Sequence, residues 1–230
     1  QQGGFSSGRS SFFHKSLGGY HAAKPKKIQD LYDYQIAQQN VEMLNMLNVK
    51  YIITKNEQGQ DVPLQNPDAN GNAWFVKNIQ NVTNADEMMQ AMKSFQSKET
   101  ALVQNTNFEK TQFAVDSLAN IQLINYQPNK LVYQSSNKQD GFAVFSEVYY
   151  PKGWKITIDN TPVEMTEVNY TLRGLNIPAG NHTIEFSFEP EVIKTGSTIS
   201  LISSLFAAGC ILFVIFMVYK KNGSQPSLKE

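Results

Sequence analysis

One segment of this chain cannot stay in water, and it constrains everything else. Residues 195–219 carry no charged side chain, and from residue 201 the run reads LISSLFAAGCILFVIFMVY. At about 1.5 Å of rise per residue, the roughly 21 residues of 199–219 span about 31 Å. That matches a hydrocarbon core of about 30 Å. A helix buried in a soluble domain would keep a polar face, and this one has none. The run therefore reads as one transmembrane helix. Tyr219 stands where an interfacial aromatic belongs, with Lys220, Lys221 and Lys229 beyond it, whereas Lys194 is the only base near the opposite end. The positive-inside rule then predicts that residues 220–230 form a cytoplasmic basic tail and that the chain before the helix lies outside. Lys194, Tyr219, Lys220 and Lys221 are the expected interface anchors. Ser203, Ser204, Ala207, Ala208 and Gly209 suit either close approach of another helix or a lone span in lipid.

The remainder is polar enough to fold in water. Without the tail, 17 basic residues face 19 acidic ones, a balance near −2 with the charges scattered. A nucleic-acid surface would need a basic patch, so that class of partner is excluded. The single cysteine, Cys210, lies inside the apolar run, leaving no intrachain disulfide and no thiolate metal site. The chain opens QQGGFSSGRS, without an initiator methionine, an apolar h-region or a cleavage site. Export of so much polar chain ahead of the only span is expected to need an upstream segment. The chain then reads as the C-terminal part of a longer, multi-pass protein.

Two textures divide the polar part. Residues 1–27, rich in Gly, Ser and Lys, read as a loop. Asn40 is expected to cap a short helix with Val41, Leu44 and Leu47 on one face, and Asn48 to end it in a left-handed conformation. VKYIIT (49–54) reads as a buried strand, residues 56–72 as a loop, and AWFVKNIQNV (73–82) as a second strand. Asn84 with Glu87 forms a capping-box-like pair ahead of Met88, Met92 and Phe95, a stripe expected to pack in the core. From about residue 119 the pattern alternates with period two. Turns are expected at Pro128–Asn129, Asp159–Asn160 and residues 178–181. Phe142, Val144, Ser146, Val148 and Tyr150 should share one strand face, while Tyr170 and Leu172 alternate in a later strand. About seven short strands with regular turns imply an antiparallel β-sandwich.

The expected fold class is α+β. Residues 1–112 form a small α/β extracytoplasmic region and residues 113–192 an antiparallel β-sandwich. The transmembrane helix (195–219) and the tail (220–230) follow.

At this point the residues resemble a known family. GFAVFSEVYYPKGWKITIDNTPVEMTEVNYTLRGLNIPAGNHTIEFSFEP (141–190) looks like the C-terminal extracytoplasmic domain of YfhO-type bacterial membrane proteins, as do GGYHAAKPKKIQDLYDYQ, NMLNVKYIIT and GNAWFVKNIQNV upstream. YYPKGWK, NYTLRGLNIPAGNHTI and KTGSTISLISS look most like the Bacteroidetes versions. The resemblance implies a polytopic protein of the inner membrane related to GT-C glycosyltransferases, which move a sugar from a polyprenyl-phosphate donor to an acceptor outside. The catalytic carboxylates of that architecture lie in early loops with no counterpart here, so no catalytic residue is carried over. The polyprenyl-phosphate donor is implied by the resemblance alone, and no cofactor is assigned to this chain. Partners implied are the lipid bilayer, upstream helices of the same protein and envelope glycan or lipid-linked sugar. A non-enzymatic glycan-binding or polymer-export module is the alternative.

Few residues suggest chemistry. His14, His21 and His182 lack metal-ligand spacing. Glu164 and Glu167, three apart on a probable strand, should face opposite ways and make a poor pair for glycoside hydrolysis. Asp30 and Asp33 have nothing nearby in sequence to shift their pKa values. Three Asn-X-Thr matches, at Asn81, Asn169 and Asn181, read as chance in an Asn- and Thr-rich bacterial chain. Tyr149, Tyr150, Trp154, Tyr170 and Arg173 are the candidate glycan- or lipid-phosphate-facing group. Aromatic faces stack on sugar rings, and arginine grips phosphate through a fork of donors. The competing reading, which the pattern favours, puts Trp154 and Tyr150 in the core and Arg173 over a sheet edge or against a carboxylate.

Overall fold

The computed structural model describes residues 5, 8–20, 22–104 and 108–223. They divide into two compact units, residues 1–151 with 155–187, and residues 152–154 with 188–230. Within the stretch expected to be a loop, a short helix α1 forms over Gly8–Phe13, and α2 (Lys26–Tyr34) already begins at Lys26.

Asn40 caps α3 (Val41–Met46) through its side-chain oxygen, which accepts from the Glu42 N–H at 3.2 Å. Asn48 takes φ 53°, the expected left-handed stop. The buried face is not the expected one. Met43 and Met46 are fully buried while Val41 lies exposed, because a two-turn helix takes its inner face from what it packs against. The strand expected at VKYIIT forms as β1 (Tyr51–Lys55), but it is not buried. It pairs antiparallel with β2 (Asp61–Gln65), drawn from the segment expected to be a loop, and Tyr51 and Leu64 stay exposed on this hairpin.

The single strand expected over 73–82 is two strands, β3 (Ala73–Val76) and β4 (Asn78–Val82), which join different sheets. Helix α4 (Ala85–Ala91) carries β4 over to β5 (Thr100–Gln104), and the two strands pair parallel, a geometry that requires such a crossover. Asn84 caps α4 by accepting from the Glu87 N–H at 2.9 Å, and the Glu87 carboxylate reaches back to the Thr83 N–H at 2.7 Å. Met88 and Met92 are buried beneath the helix as expected.

Eight strands follow: β6 (Asn120–Gln127), β7 (Lys130–Asn137), β8 (Gly141–Val148), β9 (Trp154–Ile158), β10 (Thr161–Val163), β11 (Thr166–Val168), β12 (Leu172–Ile177) and β13 (Gly180–Phe188). They form a five-stranded sheet, β10-β9-β13-β7-β6, and a four-stranded sheet, β11-β12-β8-β3, whose last strand comes from early in the chain. In the first sheet β10 pairs antiparallel with β9, and β7 with both β13 and β6; in the second, β11–β12, β12–β8 and β8–β3 are antiparallel as well. Asp159 and Asn160 turn β9 into β10 with φ 49° and 67°, the twist a two-residue hairpin favours.

The four-stranded sheet is the middle layer of the first unit. One face presents Trp74, Val76, Phe142 and Val144 to a core shared with Leu31, Met43, Met46, Met92 and Leu102. The Trp74 indole N–H donates to the Ser97 carbonyl at 2.8 Å, so its polar edge is satisfied inside that core. The other face meets the five-stranded sheet, where the Phe145 ring packs edge-on to Tyr133 at 4.9 Å and against Phe186 at 5.0 Å. Strand β8 is thus buried on both faces, which explains why Phe142, Ala143, Val144 and Phe145 run without a polar residue.

In the second unit, Trp154 lies 5.1 Å from the Phe188 ring, and the Glu189 N–H donates to the Gly153 carbonyl at 2.6 Å. Helix α5 (Glu191–Gly223) continues from there. Its apolar span covers Glu191–Lys220, 30 residues with none of the apolar window buried in protein, or about 45 Å of helix.

Candidate functional site

The β11–β12 hairpin combines strain, burial and a neighbouring cavity. Its turn is Asn169–Tyr170, with φ 48° and 70°, and the Thr171 N–H closes it on the Val168 carbonyl at 3.2 Å. Asn accepts the left-handed region readily, because its short side chain can bond locally. A tyrosine there is uncommon, and such strain costs on the order of 1–3 kcal/mol and persists only when its surroundings hold it.

Both residues are held. Asn169 is fully buried. Its N–H donates to the Leu102 carbonyl at 2.8 Å, and its side-chain oxygen accepts from the Leu102 N–H at 2.8 Å. It therefore completes the hydrogen bonding of β5 as a strand neighbour would. Tyr170 is held by its hydroxyl, which donates to Asp30 Oδ2 at 2.9 Å. The Lys26 ammonium, one helical turn before Asp30, donates to both carboxylate oxygens at 2.9 Å. That pairing, with the Tyr170 hydroxyl, holds Asp30 below its usual range against the opposing effect of burial. The expectation of an unshifted Asp30 is corrected here: its partner lies four residues earlier, in a segment read as loop.

Beside this turn opens a cavity of about 300 Å³ lined by Lys27, Met88, Gln104, Tyr149, Met165, Thr166, Glu167 and Tyr170. The Lys27 ammonium pairs with Glu167 Oε1 at 2.6 Å and sits 5.2 Å from the centre of the Tyr170 ring. Burial, then the Asp30 hydrogen bond and nearby carboxylates, push the Tyr170 hydroxyl up to about 12. Burial, with Glu167 nearby, raises the Tyr149 hydroxyl as well. Tyr170 therefore stays protonated at neutral pH and serves as a donor, not a base. The carboxylates at the site, Glu167 in the wall and Asp30 behind Tyr170, are each engaged by a lysine. This chemistry suits binding.

Of the five candidates drawn from the sequence, the structure brings Tyr149 and Tyr170 together in this cavity. Tyr150, the next residue, is 51% exposed and lies outside its lining. Trp154 packs on Phe188 in the second unit. Arg173 is turned inward: it is 3% exposed, its guanidinium lies 5.3 Å from the Phe186 ring, and its Nε–H donates to the Val148 carbonyl at 3.0 Å. Tyr133 and Glu147 bear on it electrostatically, and burial lowers its pKa while raising that of Glu147. The register with β8 shifts between Leu172 and Arg173, yet Arg173 keeps the alternation of β12 and faces the Phe186 side. Tyr170 belongs to the turn and not, as the alternation suggested, to a strand.

The sequence reading missed Lys27, Met88, Gln104, Met165, Thr166 and Glu167 as cavity residues. Met88 was legible as core, and it is: it is buried and forms part of the wall. Glu167 pairs not with Glu164, which is exposed, but with Lys27, 140 residues earlier and beyond the reach of a local pattern. His182 serves a structural end, with Nδ1 2.6 Å from Asp159 Oδ2, whereas His14 is exposed and His21 lies outside the described residues. Among the described residues, no three His, Cys, Asp or Glu side chains converge to hold a metal. The burial of Asn169 closes its Asn-X-Thr sequence to modification in the folded chain. On α5, Lys194 lies 3.8 Å from Glu189 and Tyr219 is exposed. Lys220 ends the apolar span, while the Lys221 side chain and residues 224–230 lie outside the description.

Comparison with known proteins returns one family. The family described as bacterial membrane protein YfhO matches residues 90–200. This stretch runs from the end of α4 through the sandwich into α5, and it includes six cavity residues, Gln104, Tyr149, Met165, Thr166, Glu167 and Tyr170. No curated protein and no solved structure matches the chain. Over residues 90–200, this chain is similar to the YfhO family of bacterial membrane proteins.

Proposed function

We propose that this chain is the extracytoplasmic accessory domain and final membrane helix of a multi-pass inner-membrane protein of GT-C glycosyltransferase type. In this reading the protein acts on lipid-linked sugars in modifying cell-envelope glycans. The domain positions an acceptor or braces the membrane part, and sugar transfer from a polyprenyl-phosphate donor takes place in that membrane part. The observation that carries the reading is the family match running continuously from the sandwich into a 30-residue apolar helix. The placement of Lys220 and Lys221 directly after the uncharged run, which ends at Tyr219, supports a cytoplasmic C-terminus.

Two measurements test it. This chain has one cysteine, so Cys210→Ser, with any cysteines of the upstream part replaced likewise, provides a background for Gln58→Cys in the exposed β1–β2 turn. A membrane-impermeant maleimide should label that site on intact spheroplasts; labelling only after lysis overturns the topology. Deletion of the full gene should alter envelope glycans, and unchanged glycans overturn the transferase assignment. The cavity favours one second reading, a glycan-binding or polymer-export module without transfer, which predicts the same topology and unchanged glycan structure.

A further inference from the structure

We propose that the cavity beside the Asn169–Tyr170 turn binds one uncharged pyranose unit, a reading that deepens the proposed role and rests on it. Four features carry the argument. First, the wall mixes the groups a sugar needs: two phenol rings (Tyr149 and Tyr170) and two methionines (Met88 and Met165) for its C–H faces, with Gln104, Thr166 and Glu167 for its hydroxyls. Second, the size is restrictive. A cavity of about 300 Å³ stands at the lower end of the ~300–1,000 Å³ typical of small-molecule sites. It suits a sugar unit at the end of a chain.

Third, the charges are cancelled in place. Lys27 is paired with Glu167 at 2.6 Å and Lys26 with Asp30 at 2.9 Å. An anionic ligand would have to compete with these carboxylates for the same ammonium groups. The arginine expected to grip a phosphate is instead held between the two sheets, 3% exposed. A neutral ligand meets no such competition. Fourth, Tyr170 is fixed before any ligand arrives: its backbone stands at φ 70° and its hydroxyl is tied to Asp30. A rim residue locked at both ends loses little further freedom on binding. Strain at a cavity wall is also where function is commonly found.

The test uses the whole chain in lipid nanodiscs free of glycoside detergent. The probes are the methyl glycosides of glucose, galactose, mannose and N-acetylglucosamine, followed by saturation-transfer NMR, with inorganic phosphate as competitor. At least one glycoside should bind saturably, and phosphate should not displace it. Tyr149→Ala should weaken binding by roughly tenfold, the loss of one ring contact. Tyr150→Ala, next in sequence but outside the cavity, should leave binding unchanged. Where Tyr149→Ala disturbs the fold, Glu167→Gln serves instead: it frees Lys27 and should admit inorganic phosphate. Binding by none of the glycosides, displacement by phosphate in the unaltered chain, or indifference to both cavity variants overturns the inference. If gene deletion alters envelope glycans while no glycoside binds, the cavity inference fails and the accessory role stands. If a glycoside binds while glycans are unchanged, the transferase reading fails and the sugar site stands.

Discussion

Gly174 tests the packing of the middle sheet at its tightest point. It lies in β12, opposite Thr166 of β11 and Val144 of β8. A Cβ built there would stand 2.5 Å from Phe142 Cζ, 2.8 Å from Phe142 Cε1 and 2.8 Å from Val168 Cγ1. The Phe142 ring has little room to move: it is fully buried and packed edge-on against Phe108 at 5.4 Å, with Phe113 at 6.2 Å. Gly174→Ala should therefore incur an overpacking cost of about 1–3 kcal/mol. The loss of unfolded-state freedom returns about 0.4–1 kcal/mol. The net should be a destabilisation of about 1–2 kcal/mol, or a fall of roughly 2–8 °C in thermal midpoint for a domain of this size. Differential scanning calorimetry of the chain in nanodiscs reads it. Shortening the obstructing ring distinguishes steric cost from any other cause. Phe142→Leu alone is destabilising, but added to Gly174→Ala it should cost at least about 0.5 kcal/mol less than the two separate effects summed. A Gly174→Ala midpoint equal to that of the unaltered chain, or strict additivity of the pair, would refute the reasoning.

Two further outcomes follow from the hydrogen bonding. Asn169→Ala removes the buried acceptor of the Leu102 N–H at a cost of about 1–3 kcal/mol and leaves alanine in the left-handed region at about 1–2 kcal/mol more. Its specific signature is faster hydrogen exchange at Leu102, and unaltered exchange there would contradict the role given to Asn169. The His182–Asp159 contact makes stability depend on pH, since the Asp159 hydrogen bond raises the His182 pKa above its usual 6.5. The stabilisation is complete below about pH 6.5 and fades as pH rises through the higher folded-state value. Midpoints from pH 6 to 8.5 should fall more steeply in the unaltered chain than in His182→Gln, and parallel curves would remove the contact from the account.

Local sequence determined those features whose physics is complete within a few residues. A charge-free run long enough to cross a bilayer is helical wherever it sits, because lipid offers its backbone no other partner. Caps at Asn40 and Asn84, the left-handed stop at Asn48 and the Asp159–Asn160 hairpin were legible for the same reason: each bond closes within a turn. Tertiary structure alone decided which faces are inside and which residues meet. Burial of a short strand depends on what lies above it. VKYIIT, apolar enough for a core, was left on an exposed hairpin, while β8 is covered on one face by the core with Leu31, Met43 and Met92 and on the other by the five-stranded sheet. The candidate site is of the second kind. Lys27 and Glu167 are 140 residues apart, as are Asp30 and Tyr170, and Arg173 is buried beside Phe186 of the other sheet. No period of two or 3.6 encodes such pairings, because their energy arises only when separate layers close on one another.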